Sequence, residues 1–207
     1  LYSAMEDFKI DILIDSGPNA RTVRIDLEPF TLVGATTRLG NISTPMRDRF
    51  GAIFRLDFYQ KDEIFKILKR TASILEMNVQ DDALTEIAGR SRGTPRIANR
   101  VLKRVRDFAQ VKNVKEISLE DARSSLDSIG IDENGLENMD RKILKNLIVN
   151  YNGGPTGGKS LAISINEDIQ TIEDVYEPYL IKEGFIERTS RGRIATDKAY
   201  ALFDLKK

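Results

Sequence analysis

Residues 185–196 read FIERTSRGRIAT, two short β-prone runs joined by a polar turn that contains glycine, a pattern typical of a β-hairpin. Three amphipathic helices are predicted before it, over 139–149, 161–165 and 171–180. We expect the third to begin at Thr171 as its N-cap, with Asp174 completing a capping box. Three helices followed by a hairpin indicate a winged helix-turn-helix, which we place at residues 134–207.

The preceding residues, 61–133, are predicted to form a small all-α domain. Apolar side chains recur at helical spacing over 61–72, 82–88 and 95–109, and Ser118 with Asp121 forms a capping box for a fourth helix. Residues 130–135 are rich in turn-forming residues and form the predicted linker to the winged helix.

The first 60 residues have the pattern of strands. Alternating runs at 9–15 and 23–27 flank a turn cluster at 15–19 and predict a hairpin. Residues 30–35 form a short apolar run, predicted as a central strand buried on both faces, and a further strand is predicted over 52–56. We therefore predict an α/β region at 1–60, followed by the all-α domain and the winged helix.

Composition excludes several kinds of active site. The chain has no cysteine and no histidine, so disulfide scaffolds, thiol nucleophiles, imidazole bases and metal sites built on these residues are excluded, and we predict no metal site in this chain. Its 32 basic side chains balance 32 acidic ones, so any nucleic-acid site must be local. No apolar run approaches the roughly 18 residues of a membrane span, and we expect no membrane partner.

A glycine-rich segment matches the P-loop pattern G-x-x-x-x-G-K-[ST]: residues 153–160 read GGPTGGKS. A P-loop follows a buried apolar strand, whereas the segment before this match has helical spacing and carries Arg141, Lys142 and Lys145. We therefore predict a turn between two helices of the winged helix. A phosphate site at Lys159 is the alternative.

Five motifs stand in order along the chain: GATTR at 34–38, RDRFG at 47–51, GTPRIA at 93–98, EDVYEPYL at 173–180 and RGR at 191–193. Together they resemble the RuvB family, bacterial AAA+ motors that drive branch migration of Holliday junctions. The resemblance covers essentially the whole chain. The family's Walker A and Walker B motifs are expected upstream of Leu1, so we expect a fragment, the C-terminal two-thirds of such a protein.

The resemblance implies an AAA+ ATPase and DNA helicase that uses ATP or ADP with Mg²⁺. It implies a hexameric ring that acts with RuvA and RuvC on Holliday junctions and duplex DNA, in the bacterial cytoplasm, in recombination, repair and the SOS response. Without a P-loop, the 207-residue chain alone is expected to be inactive. A non-enzymatic winged-helix DNA-binding or adaptor protein is the alternative, and a P-loop enzyme using Lys159 is a third possibility.

The resemblance also implies roles for catalytic residues. Thr37 resembles sensor 1, Arg49 the arginine finger that reaches a neighbouring subunit's nucleotide, and Arg96 sensor 2. A guanidinium suits the last two roles because it is always charged and offers forked donors to phosphoryl oxygens. Pro95 favours the first turn of a helix, which places Arg96 near a helix N-terminus that attracts anions.

Further residues match positions that line the nucleotide in this family: Glu6, Asp7, Phe8 and Tyr59. For Phe8 and Tyr59, packing at a domain junction is the alternative. The basic run from Arg90 to Arg106 contains no acidic residue, and its members Arg100, Lys103, Arg104 and Arg106 are interpreted as a solvated helix face.

DNA is expected to contact the hairpin of the winged helix. The third helix carries Glu173, Asp174 and Glu177, which phosphates would repel, whereas the hairpin offers Arg188, Arg191 and Arg193. Contacts to phosphates carry no sequence information, so the binding is predicted to be sequence-independent.

The hairpin near the N-terminus is predicted to dock a protein. Both of its faces carry apolar side chains, more than a one-sided hairpin would bury. The resemblance names RuvA as the partner, with Leu13, Val23 and Ile25 as candidate contacts. The alternative is that both faces pack against the rest of the α/β core.

Overall fold

The computed structural model describes residues 2–14 and 21–206, which divide into two compact units, Leu1–Leu56 and Asp57–Lys207. The turn cluster expected at 15–19 lies outside the described residues. None of the helices in the described ranges is long and apolar enough to cross a membrane.

The first unit contains one hairpin and short helical segments. Its elements are α1 (Tyr2–Glu6), β1 (Lys9–Leu13), β2 (Thr22–Asp26), a 3₁₀ turn (Leu39–Asn41) and α2 (Thr44–Arg47). The strands are antiparallel, with Ile10 opposite Ile25 and Ile12 opposite Val23. The predicted hairpin is therefore confirmed.

The prediction of two further strands in this unit, over 30–35 and 52–56, was wrong. Residues 30–35 and 52–56 run without strand pairing, and Val33, Phe54 and Leu56 are 84% or more exposed. A central strand needs hydrogen-bonded neighbours on both sides. The sheets formed by the described residues are two separate two-stranded hairpins, so neither apolar segment has a neighbour to pair with.

In the second unit, four helices form the part that we call the lid: α3 (Lys61–Ile74), α4 (Asp81–Gly89), α5 (Pro95–Val111) and α6 (Leu119–Ser128). Their apolar stripes meet in one core. The predicted capping box is present: the Ser118 hydroxyl accepts a hydrogen bond from the Asp121 amide at 3.3 Å, and Asp121 accepts one from the Ser118 amide at 3.1 Å. The hydrogen bond from the Ser118 hydroxyl lowers the pKa of Asp121.

Residues 136–206 of the second unit, which we call the head, have their own core. Its elements are α7 (Asn138–Tyr151), α8 (Gly158–Ile165), α9 (Ile169–Thr171), a π-helical turn (Ile172–Tyr176), α10 (Glu177–Lys182), β3 (Ile186–Thr189), β4 (Gly192–Ala195) and α11 (Asp197–Ala201). The segments from α9 to α10 form one continuous third helix. The hairpin β3–β4, which we call the wing, follows it, and this confirms the predicted winged helix.

The third helix begins earlier than the sequence suggested. The Asp168 carboxylate accepts hydrogen bonds from the amides of Gln170 at 2.8 Å and Thr171 at 3.1 Å, so Asp168 is the N-cap and the prediction of Thr171 was wrong. The π-helical turn lies just before Pro178, which has no N–H for the carbonyl of Asp174 and interrupts the regular α-helical pattern.

The glycine-rich segment is a turn between α7 and α8, as predicted, and the element directly before it is a helix and not the strand that a P-loop requires. Thr156 pairs with Arg193 of the wing through two backbone hydrogen bonds of 2.9 Å. Gly154 has a φ of 94°, and a Cβ there would overlap the Arg193 carbonyl oxygen. The glycine thus allows the turn to lie against the wing, a structural reason for part of the P-loop-like pattern.

Gly154→Ala should destabilise the head by more than about 1 kcal/mol, because it combines a strained φ with backbone overlap. Gly157→Ala is the matched control: Gly157 has a φ of −65°, and a Cβ there would meet nothing within 4 Å. Thermal unfolding followed by circular dichroism compares the two variants. Equal stability of both would contradict this account of the turn.

Candidate functional site

Arg49, the predicted arginine finger, follows α2 and is held within the first unit. Its guanidinium pairs with Glu6 at 2.7 Å, donates to the Pro45 carbonyl at 2.6 Å and lies over the Tyr2 ring at 4.6 Å. Its Nε is buried and has no hydrogen-bond partner among the described residues. The structure thus brings together two predicted nucleotide residues, Arg49 and Glu6, and leaves the Nε–H of the guanidinium without an acceptor among the described residues.

The other candidates of the first unit are exposed. Thr37 lies in the loop after residues 30–35, and Asp7 and Phe8 follow α1. Phe8 is 39% exposed and meets the Phe30 ring edge-on, with centroids 6.0 Å apart. None of the contacts found among residues 2–14 and 21–56 joins Thr37 to Arg49, so the structure does not assemble these two catalytic candidates by itself.

The N-terminus of α5 has the features of an anion site. Arg96 occupies the second helical position and is exposed, without an acidic partner in the described part of the chain. The N-cap Thr94 makes no side-chain hydrogen bond to the helix, and the first turn contains no acidic residue. Uncapped amides, the helix dipole and a free guanidinium all favour a bound phosphate at this end.

Tyr59 lies beside the same loop. Its amide donates to the Gly93 carbonyl at 2.9 Å, and its ring is 46% exposed. Gly93 has a φ of 65°, and a Cβ there would lie 2.7 Å from the Tyr59 carbonyl oxygen. A residue with a Cβ at position 93 would prevent this close approach, so glycine is required there. Gly93 lies three residues before Arg96, and Tyr59 is therefore held near the start of α5.

The middle of α5 carries the solvated basic face that the sequence suggested. Arg100, Lys103 and Arg104 are exposed, and Arg106 pairs with its neighbour Asp107 at 3.0 Å. Arg100 also reaches Glu137, at the N-cap of α7, at 3.0 Å.

Two arginines of the same basic run are buried, which sequence reasoning missed. Arg90 is 6% and Arg92 8% exposed, and Arg92 pairs with the fully buried Asp140 of α7. Burial raises the pKa of Asp140, and the Arg92 guanidinium opposes that shift. Burial also raises the pKa of Tyr179 to about 12, so its hydroxyl stays protonated and donates to the Asn134 carbonyl at 2.7 Å. The only signal in the sequence was the position of Arg92 next to a glycine.

The wing presents two arginines to solvent. Arg191 lies in the turn between β3 and β4, is exposed and has no acidic partner among the residues described. Arg188 on β3 is 55% exposed and lies 3.4 Å from Glu173 and 3.7 Å from Glu177. Both guanidinium groups are thus accessible from outside the head.

Arg193 is placed differently. Its side chain is 7% exposed, and its guanidinium donates to Glu177 at 2.5 Å and to Glu173 at 2.6 Å. The hydrogen bond to Glu177 raises the pKa of Arg193. Its Nε and Nη2 are therefore committed to these ion pairs, and little of its side chain is open to DNA. The acidic residues of the third helix, which would repel DNA, thus hold the wing.

The three predicted docking residues of the first hairpin lie on two faces. Val23 and Ile25 share one face with Ile12, and all three are 42–43% exposed. Leu13, 69% exposed, lies opposite Thr22 on the other face, which also carries the Asp11–Arg24 ion pair.

Models of known families match consecutive parts of the chain. Residues 1–56 match the Holliday junction DNA helicase RuvB P-loop domain, 59–132 the RuvB AAA lid domain, and 133–204 the RuvB C-terminal winged helix domain. The chain belongs to the RuvB family. The winged helix and the helical lid described above are therefore those of a RuvB protein.

Individual RuvB proteins are similar over nearly all of the chain. RuvB of Oleidesulfovibrio alaskensis is 57% identical over 99% of the chain, and that of Prosthecochloris aestuarii is 59% identical over 98%. A solved structure of the Thermotoga maritima RuvB Holliday junction branch migration motor covers the whole chain with a TM-score of 0.85 and 46% identity. The chain spans 64%, 59% and 64% of the lengths of these three relatives, respectively.

Proposed function

We propose that the chain is part of an ATP-driven motor that moves Holliday junctions, with α5 sensing the nucleotide and the wing holding DNA. The observation that supports this most directly is the uncapped start of α5 with the exposed Arg96, in the same compact unit as a wing with two accessible arginines. The names of the relatives, all subunits of Holliday junction branch migration complexes, support the same reaction.

ATP or ADP with Mg²⁺ is the proposed nucleotide, with its Walker ligands outside these 207 residues. The residues present fit such a ligand: Arg96 and the α5 N-terminus suit a phosphate, and the half-exposed Tyr59 ring suits a base or ribose. Thr37 would orient the attacking water, and Arg49 would stabilise the charge that develops on the phosphoryl group of a neighbouring subunit's nucleotide. Mg²⁺ would neutralise the phosphate oxygens.

The proposed assembly is a hexameric ring that binds RuvA and, in the complete machinery, RuvC, in the bacterial cytoplasm during recombination, repair and the SOS response. Duplex DNA would meet Arg188 and Arg191 through its phosphates. The hairpin β1–β2 is the proposed RuvA site, because Val23 and Ile25 expose a continuous apolar face with Ile12.

Arg49→Ala in the full-length protein should lower ATP hydrolysis by about 10³–10⁵-fold while nucleotide binding stays nearly intact. Mixing this variant with a subunit that has a defective Walker motif should restore some activity if the guanidinium acts in trans. Arg47→Ala is the matched control, because Arg47 lies in the same segment and its guanidinium donates to Thr44 at 3.1 Å. Loss of nucleotide binding, with no rescue in mixtures, would indicate a structural role for Arg49.

Arg188→Ala and Arg191→Ala should weaken DNA binding equally for every sequence, each reducing the slope of log K against log salt by roughly 0.9 on duplex DNA. Arg193→Ala is expected instead to destabilise the head by about 3–5 kcal/mol, because it removes the hydrogen-bonded ion pair of the buried Glu177. Salt titrations of DNA binding and thermal unfolding separate the two effects. A loss that depends on DNA sequence would contradict contacts to phosphates alone.

Val23→Glu or Ile25→Glu in the full-length protein should abolish association with RuvA and leave ATP binding unchanged, because a charge would be buried in an apolar contact. Thr22→Glu places the same charge on the opposite face of β2 and serves as the control. Pull-down and ATP-binding measurements decide the outcome. Normal RuvA binding by the first two variants would exclude their face, and loss only with Thr22→Glu would assign docking to the face of Leu13.

A further inference from the structure

Arg90 and Arg92 lie two residues apart in the loop between α4 and α5, and their side chains are equally buried, at 7% exposure. Arg90 binds the lid and the first residues of the linker, which pack on the lid core: its guanidinium donates to Glu86 at 2.7 Å, to Asp127 at 3.1 Å and to the Ile131 carbonyl at 3.0 Å. Arg90 therefore ties α4 to α6.

Arg92 points into the head instead. Its guanidinium pairs with Asp140 of α7, donates to the Gly135 carbonyl at 2.9 Å and lies over the Tyr179 ring of α10 at 4.7 Å. The Tyr179 hydroxyl in turn binds the Asn134 carbonyl. One lid side chain thus contacts the linker, the first helix and the third helix of the head.

The backbone conformation of Arg92 indicates that surrounding contacts hold its side chain in this position. Its φ of 57° is in the left-handed region, which is unfavourable for a residue with a Cβ. The next residue, Gly93, shares that region, and the two together turn the chain so that the Arg92 side chain enters the head. Such a conformation persists when the surrounding contacts fix it.

The Arg92–Asp140 ion pair fixes the orientation of α7 relative to the lid more than it strengthens the attachment of the two. Asp140 is fully buried and also accepts a hydrogen bond from the Glu137 amide at 2.7 Å, as part of the N-terminal cap of α7. The cost of removing two charges from water offsets most of their attraction. Well-packed apolar side chains would therefore hold the lid and the head together equally well. A planar guanidinium with fixed partners instead allows one orientation of α7 relative to the lid.

The same short loop reaches the proposed nucleotide sensor. Gly93 holds Tyr59 through its carbonyl, Pro95 begins α5, and Arg96 is exposed one residue later. Only three residues therefore lie between Arg92, which is anchored in the head, and Arg96, which is proposed to contact phosphate.

We propose that Arg92 is a positioning residue that couples the start of α5 to the winged head, so that a displacement of α5 by the nucleotide moves the wing. This inference rests on the proposed function for its nucleotide and DNA. The junction itself is a property of residues 57–206 and can be tested without either ligand.

The first test measures the junction in the 207-residue chain. Because the chain has no cysteine, Val111→Cys in the lid and Ile163→Cys in the head, at positions 84% and 81% exposed, give two clean sites for spin labels. The distance distribution between the labels should be narrow, and Arg92→Ala should broaden it. Arg90→Ala, equally buried but bonded to the lid, should leave it narrow. An unchanged distribution in Arg92→Ala would overturn the proposal.

Asp140→Asn tests the same contact from the head side and keeps the shape of the side chain, so it decides the matter if Arg92→Ala does not fold. It should broaden the distribution to a smaller extent, because the amide oxygen can still accept from Arg92. A distribution as narrow as that of the unsubstituted chain would overturn the proposal.

The second test uses the full-length protein. Arg92→Ala should lower the number of junctions migrated per ATP hydrolysed by about tenfold, a typical size for coupling between sites. ATP hydrolysis without DNA, and DNA binding, should stay within about twofold of normal. Arg90→Ala should keep the normal ratio. A normal ratio in Arg92→Ala would overturn the coupling, whereas absence of migration by the unsubstituted protein would overturn the proposed function and leave the label distances to decide on Arg92.

Discussion

A guanidinium that is buried in a protein must have a carboxylate or carbonyl buried beside it, and this constraint determines how the head is built and attached. Arg193 and Glu177 form one such pair, between the wing and the third helix. Arg92 and Asp140 form the other, between the lid and α7. In both pairs the arginine lies in or beside a turn and the acid lies on a helix, so each pair fixes a turn segment to a helix.

These pairs explain why charge along the sequence is a poor guide to the surface. The acidic residues of the third helix were expected to repel DNA phosphates, but Glu177 is buried and accepts a hydrogen bond from Arg193. Within the basic run around α5, nothing in the charge pattern distinguishes Arg92 from its neighbours, yet Arg92 is buried while Arg96 and Lys103 are exposed. Periodicity places a residue on a face of a helix, but Arg92 precedes α5, where the direction of a side chain depends on backbone dihedrals that periodicity does not encode.

The helices of the lid and the winged helix could be predicted because their apolar spacing and capping residues are local signals, and the wing because its turn residues are local too. The start of the third helix could not be predicted. Asp168 and Thr171 are both favourable N-cap residues, and only the path of the preceding chain selects between them. The strands at 30–35 and 52–56 failed for the opposite reason. Their apolar composition is that of buried strands, but a strand exists only with a partner, which the residues described here do not supply.

The glycine-rich turn shows how a local pattern can point to the wrong chemistry. In a P-loop, glycines let backbone amides approach phosphates. Here Gly154 lets the turn approach the Arg193 carbonyl, and Gly158 leaves room for the Arg193 guanidinium, whose Nη1 would lie 2.5 Å from a Cβ at that position. Both a P-loop and this turn need glycine so that another group can approach the backbone closely. In a P-loop that group is a phosphate, and here it is Arg193.

Arg193 is therefore fixed by several contacts. Its backbone pairs with Thr156, and its guanidinium lies beside Gly158 and bonds to Glu173 and Glu177. These contacts join the wing to the third helix, and α10 of that helix carries Tyr179, whose ring contacts Arg92. A displacement of the loop before α5 would accordingly reach Arg188 and Arg191 through buried contacts, of which the Arg92–Asp140 and Arg193–Glu177 pairs combine charge with directional hydrogen bonds. An apolar interface of the same area could slip without breaking any single strong contact, and it would transmit less of the displacement.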